Sequence, residues 1–525
     1  MNAFPLTITS PILAIPVSRE APLVRITLEV DGRPQRQGYI ALSPHHPEYW
    51  VAMDVQSFIG RTGLLRCDSE DDTAPDLGCI RSCNVLPDSE SLYHERLRPR
   101  FHFTAKRGWL NDPNGLIYHE GVWHLFFQHN PYGVEWNNMH WGHATSRDLV
   151  HWEEQSCALY PWTQANEHCF SGSAVVDHRN TSGFGQNNTP PMIACFTDTG
   201  AGESIAYSLD QGKTFSLWEG NPVVRSLGRD PKVFWHEETE QWCMAVYSET
   251  DNSQYIAFYT SPDLRNWIFQ SRIEGYFECP ELFPLPVDGN PNDIRWVLYA
   301  ADARYVIGQF DGKQFVPEHE GKHQLFWGHY YAAQTFNDAP DGRRIQIGWA
   351  RGIPFPEMPF NQMMTFPTEM RLRTTPDGIR MIAEPVKEIA NLYEELVVHD
   401  ALDVHPGSPV AMALPPKQLD FEFRILAGTS KTVTLGIGAT TLKWDVHAGV
   451  LGDIPVPKDP KELHLRLLLD RPSLEVFVNQ GEAALVLPVE SSWPIDTLYC
   501  VSTGGVTQLV DIKGYTLGSA HSVFR

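Results

Sequence analysis

Apolar residues in this chain fall in short runs broken by polar turns, and the runs return in a fixed order. VWHLFFQ at 122–128, MIACFT at 192–197, WCMAVYS at 242–248, RWVLYA at 295–300 and RIQIGWA at 344–350 read as buried strands. Each follows another strand-like segment: GLIYH at 115, SAVVD at 173, KVFWH at 232, ELFPL at 281 and AQTFND at 333. Most are followed by a third: GHATSRDLVHW at 142, SIAYSLDQGKTF at 204, YIAFYTSPDLRNW at 255 and YVIGQFDGKQF at 305. In these third segments a strand ends in Ser-x-Asp or Phe-Asp-Gly, a turn follows and an aromatic residue comes next, which is a hairpin pattern. A sheet of about four strands cannot bury both faces alone, whereas five such sheets set radially bury each face on a neighbour. The repeat therefore predicts a five-bladed β-propeller over 101–375.

The flanks also alternate. Residues 1–100 carry LVRITLEV and YWVAMDV and predict a small N-terminal β-domain. Residues 396–525 carry DFEFRIL, TVTLGIG, LHLRLLLD and SLEVFVN between Gly, Pro and Asp turns, and predict a C-terminal β-sandwich. EPVKEIANLYEELV at 384–397 has the best helical pattern and predicts a linker helix within 376–395. The fold class expected is all-β.

Three carboxylates recur at one phase of the repeat. Asp112 in WLNDPNG precedes the first strand of unit one, Asp230 in GRDPKVFW that of unit three, and Glu278 in FECPELF that of unit four. Ser171 in FSGS holds the matching place in unit two. Each motif alone is more often a turn. Equivalent positions at the start of innermost strands ring one end of a common axis, so the three acids converge. Crowded carboxylates resist full ionisation, and one of the group should have a raised pKa. One ionised and one protonated carboxyl in one site is what glycoside hydrolysis requires. A retaining enzyme, an inverting glycosidase on arabinose or xylose polymers, and a non-catalytic carbohydrate-binding propeller are all weighed on this pattern. The last would be favoured by loss of an acid, and none is lost.

Composition narrows the partners. Lys+Arg is 41 against 64 Asp+Glu, a net charge of −23, which repels nucleic acid and anionic lipid and leaves a neutral sugar unaffected. No apolar run is long enough for a membrane span. The N-terminus lacks a basic region and has prolines in its apolar part, and the 9 Cys are scattered, so reduced thiols and a cytoplasmic location are expected. G-x-S-x-G and phosphate-cradling motifs are absent, and the pairs His140/His143 and His119/His124 lack a matching carboxylate. No metal and no cofactor are expected, and the pattern sets no oligomeric state.

WLNDPNG, HLFFQHNP, WNNMHWGHA, SRDLVHW, FSGSAV, GRDP and ECPELF, in that order, resemble glycoside hydrolase family 32, the invertases, inulinases and levanases. The later YAAQTFNDAPDGRRIQIGWARGIPFPEMPFNQMMTFPTEMRLR and SLEVFVNQGE are also similar to that family, and the likeness covers roughly 95–525. It implies a retaining enzyme that releases terminal β-D-fructofuranosyl units from levan, inulin, fructo-oligosaccharides or sucrose, with a transfructosylase as a variant. It implies Asp112 as nucleophile, Glu278 as general acid/base and Asp230 as transition-state stabiliser. Asn111, Gln128, Trp136, Phe170, Ser171 and Arg229 match positions that shape the fructosyl pocket, and Trp349 lies in a loop that varies in the family. Asn137 stands where Gly is common, and the first 100 residues lie outside the family's core architecture.

Overall fold

The computed structural model describes residues 2–68, 75–161, 168–250, 252–489 and 493–521. Within 108–385, antiparallel sheets follow one another along the chain, each led by one strand of the repeat: Gly108–His119, Cys169–Val176, Arg229–His236, Glu281–Pro286 and Tyr331–Thr335. The Ser-x-Asp turns close their hairpins as the spacing expects. Ser146 bonds Asp148, Ser208 bonds Asp210 and Ser261 bonds Asp263, and each Asp also accepts amides of its own turn. The fifth sheet continues through Gly378–Pro385, past the expected edge at 375.

Buried polar side chains tie the leading strands together. Asn337 exchanges backbone bonds with Leu116 and Tyr118 of the first sheet, and its Nδ2 donates to Ala174 of the second and Val233 of the third. Gln334 Nε2 donates to the Gly172 carbonyl at 2.9 Å, and Ser173 Oγ to that of Pro231 at 2.8 Å. Lys232 Nζ lies 2.9 Å from Glu281 Oε2, which also accepts from Thr335 Oγ1 at 2.5 Å. A buried charge without such a partner would cost several kcal/mol. This all-β body, with the sandwich that follows it, fits a β-propeller joined to a β-sandwich.

The N-terminal residues form one sheet from Asn2–Thr7, Thr62–Asp68, Val24–Val30 and Arg33–Ile40, and a second from Tyr49–Asp54, Ile12–Val17 and Arg81–Cys83. Their shared core takes in Tyr132 and Val134 from the loop after Val122–Asn130. At the other end, two sheets carry residues 393–517. One of them accepts Phe326–Gly328, which pairs in parallel with Ala483–Pro488. The approach is close: a Cβ on Gly328 would meet the Val486 carbonyl at 2.3 Å, so only glycine fits.

His102 links the same two bodies. It is buried between Asp470, at 2.9 Å, and Glu475, at 3.1 Å. Asp470 also accepts the amides of Arg100 and Phe101. Leu517 and Ala520, at the chain's end, share a core with Phe101 and Leu110, and the Ala520 amide donates to Arg100.

The linker helix expected within 376–395 is not formed. The strand ending at Pro385 is followed by a short 3₁₀ turn, Lys387–Leu392, and then by the strand Tyr393–Val398. The latter pairs with Thr507–Leu517, and Tyr393 stacks on Tyr515 at 4.1 Å and donates to Asp420. Leu396 and Val398 stay exposed, so the segment has no continuous helical face to bury. Tertiary pairing outweighs a propensity of tenths of a kcal/mol per residue. Among the described residues no helix is long and apolar enough to cross a membrane.

Candidate active site

The leading strands lose their regular pairing where they carry the expected residues. Pairing slips between Leu110 and Pro113 around Asp112, between Cys169 and Gly172 around Ser171, and between Arg229 and Lys232 at Asp230. Such bulges re-aim side chains out of the ladder. Asp230, Glu278 and Cys279 have φ of 66°, 48° and 41°, a left-handed region uncommon for non-glycine residues.

These turns bring the acids together. An oxygen of Asp112, an oxygen of Asp230 and Sγ of Cys279 lie within 4.8 Å of one another. Ser171 Oγ donates to Asp112 Oδ2 at 2.6 Å, and Asn111 Nδ2 to Oδ1 at 3.1 Å. Trp109 Nε1 in turn fixes Asn111 at 2.9 Å. The Cys279 amide donates to Asp230 Oδ2 at 3.0 Å, and the Asp230 amide to Thr197 Oγ1. Glu278 is held on both oxygens, by Arg229 Nε at 3.0 Å and by the Tyr331 hydroxyl at 2.6 Å. Arg229 itself lies over Tyr247 and Phe277, at 4.7 and 5.7 Å from the ring centres.

Burial dominates the electrostatics. It pushes Asp230 up to about 8, helped by the charges of Asp112 and Glu278. Burial also raises Asp112, while the bonds from Ser171 and Asn111 pull it back. The Cys279 thiol is pushed far up by burial and by the acids. Crowded and buried, Asp230 and the Cys279 thiol favour their protonated forms.

The remaining expected residues form the rim and its supports. Trp136 is exposed and touches His168 and Phe170, with ring centres 5.0 and 6.1 Å apart. Phe170 adjoins Ser171. Trp349 meets Trp109 and Tyr331 edge-on and donates to Gln362 at 3.0 Å. Gln128 differs: it is buried, and its Nε2 donates to the Cys169 carbonyl, which places it behind the Phe170 strand. Sequence reasoning missed Tyr331, Cys279 and Trp109. Tyr331 opens the fifth leading strand, where pairing again slips, so it stands at the same repeat phase as the acids.

Converging carboxyls beneath an aromatic rim, on an all-β scaffold, define the class: a glycosidase. Residues 102–385 match the N-terminal domain of glycosyl hydrolases family 32, and residues 420–515 match the family's C-terminal domain. The chain belongs to that family. It is 34% identical over 492 residues to a levanase of Bacillus subtilis, covering 81% of this chain and 71% of that protein. It is 32% identical over 439 residues to invertase 2 of Saccharomyces cerevisiae, covering 75% and 80%. A crystal structure of exo-inulinase from Aspergillus awamori aligns with a TM-score of 0.72 at 28% identity, over 82% of this chain and 99% of that one.

Proposed function

We propose that this chain is a retaining β-fructofuranosidase that removes terminal fructosyl units from levan- or inulin-type fructans, fructo-oligosaccharides or sucrose. The observation that carries the reading is the pairing of an acid held by Ser171 and Asn111 with a second acid held by Arg229 and Tyr331, the buried Asp230 between them in chain order. Levanase, exo-inulinase and invertase relatives support the substrate class. The polar ties among the five leading strands support closure of their sheets into five blades about one axis, with the acids at one mouth.

Asp112 attacks the anomeric carbon of the terminal fructose. Glu278 protonates the departing oxygen, and a fructosyl ester forms on Asp112. Glu278 then takes a proton from water, which attacks the ester and releases fructose. Asp230, with a pKa near 8, is protonated at neutral pH and can donate to a ring hydroxyl as charge develops on the sugar.

Glu278→Ala tests this. A poor leaving group needs the acid, so hydrolysis of sucrose and fructan should slow by about 10²–10⁴-fold. A fructoside with an activated leaving group should retain its first step, and azide should restore turnover by attacking the ester without base help. Equal loss on both substrates with no azide rescue would remove Glu278 from the role.

A further inference from the structure

We infer that the N-terminal domain supplies an accessory glycan subsite, with the Tyr39 ring as its platform, for the part of a fructan beyond the terminal fructose. The inference rests on the fructosidase reading and extends it to chain length.

The N-terminal domain is continuous with the rim of the site. The loop after Val122–Asn130 carries Trp136, and it is fastened to the strand Arg33–Ile40 on both sides of one residue. Asn138 Oδ1 accepts the Tyr39 amide at 2.8 Å, and Asn138 Nδ2 donates to the Tyr39 carbonyl at 2.9 Å. Next to it, a Cβ on Gly38 would meet the Tyr132 ring at 2.4 Å, so glycine lets strand and loop touch. Arg19 donates to the Met358 carbonyl, and Asn361 Nδ2 to that of Val134 at 2.9 Å. Asn361 adjoins Gln362, the partner of Trp349. The loops that present Trp136 and Trp349 are thus both bound to the N-terminal domain or to each other.

A cleft runs along this seam, lined by Arg25, Gln37, Tyr39, Asn137 and His168 among others. Tyr39 is 40% exposed and Trp136 is 49% exposed. Trp136 rests on His168, so the cleft leads to the rim. Arg25 Nη2 donates to Gln37 Oε1 at 3.0 Å, which positions a guanidinium and an amide beside the phenol. A fixed aromatic face flanked by amides and a guanidinium suits a neutral polyhydroxylated ring: apolar C–H faces stack, and hydroxyls bond. The main chain of Tyr39 is already pinned, so little ordering is needed on binding. The family match begins only at residue 102, so bond cleavage belongs to the scaffold after it, and a site before it changes selectivity rather than chemistry.

The test is Tyr39→Ala in the full chain. The bonds to Asn138 are made by the backbone and survive the change, so the loop stays in place. We expect kcat/KM for long fructo-oligosaccharides to fall about tenfold, with sucrose within about twofold and Tyr39→Phe close to the parent enzyme on both. An unchanged ratio of long to short substrates would overturn the subsite, and so would equal loss on both, which would make Tyr39 only a prop. Calorimetry with an inulin-type oligosaccharide separates the two readings. If the parent enzyme turned over no fructoside, the activity would fall; weaker binding by Tyr39→Ala would still uphold the subsite, and equal binding would overturn it.

Discussion

Tyr331 opens the fifth leading strand and Glu278 lies in the bend before the fourth, and the phenol donates a 2.6 Å hydrogen bond to Glu278 Oε2. Arg229 occupies the other oxygen, so the plane of the carboxyl group is set from two sides. Tyr331→Phe leaves one oxygen without its donor. A hydrogen bond to a charged group contributes about 1.5–3 kcal/mol, so kcat on sucrose should fall ~10–100-fold. KM should change little, and a substrate with an activated leaving group should lose less. Unchanged kcat on sucrose would mean that Arg229 alone orients the acid.

The Ser171 bond to Asp112 is equally short. Ser171→Ala should lower kcat ~10–100-fold while leaving a slow covalent intermediate detectable by mass spectrometry. Asp112→Asn should abolish turnover, since an amide cannot form the ester. A trapped fructosyl adduct on the Asn variant would place the nucleophile elsewhere.

Trp136, His168 and Phe170 pack together beside Ser171, and Gln334 and Asn337 tie the leading strands to one another. With the sheets closed about one axis as proposed, the site is a blind pocket that admits a chain end. The first products from inulin or levan should therefore be almost wholly free fructose by chromatography. Early mixed oligomers would show an open cleft and internal cleavage.

His102 makes stability depend on pH. Burial alone would lower its pKa, but the bonds to Asp470 and Glu475 outweigh that and raise it to about 9 from 6.5. A raised histidine contributes stability that is complete below about 6.5 and lost as pH rises through about 9, at most ~3 kcal/mol. Tm should drop across that window. His102→Gln should be less stable at pH 6 by about 3–5 kcal/mol, because two carboxylates lose their cation, and its Tm should vary less between pH 6.5 and 9. A parallel pH profile for both proteins would assign the slope to other groups.

The repeat made most of this legible. Strand triplets and Ser-x-Asp turns are local patterns, and the shared phase of Asp112, Asp230 and Glu278 is visible because each stands just before the apolar run of a leading strand. Tyr331 sits at that phase too, yet a tyrosine before an apolar run looks like core. The segment 384–397 misled because its composition favours helix, while its partner Thr507–Leu517 lies far along the chain. Phe326–Gly328 was invisible for the same reason: three residues carry no periodicity, and their partner is in another domain. The clamp on Asn138 also needs the fold, since it joins residues 99 apart.

The placement of Leu517 and Ala520 in one core with Phe101 and Leu110 sets an order of events during synthesis. Domains generally fold as they leave the ribosome, N-terminal first. Here the catalytic body cannot seal its own interior until Leu517 and Ala520 have emerged, and Phe326–Gly328 waits as an unpaired edge for Ala483–Pro488. A nascent chain halted before the sandwich would expose that edge and the apolar wall behind it, and would be a ready substrate for chaperones.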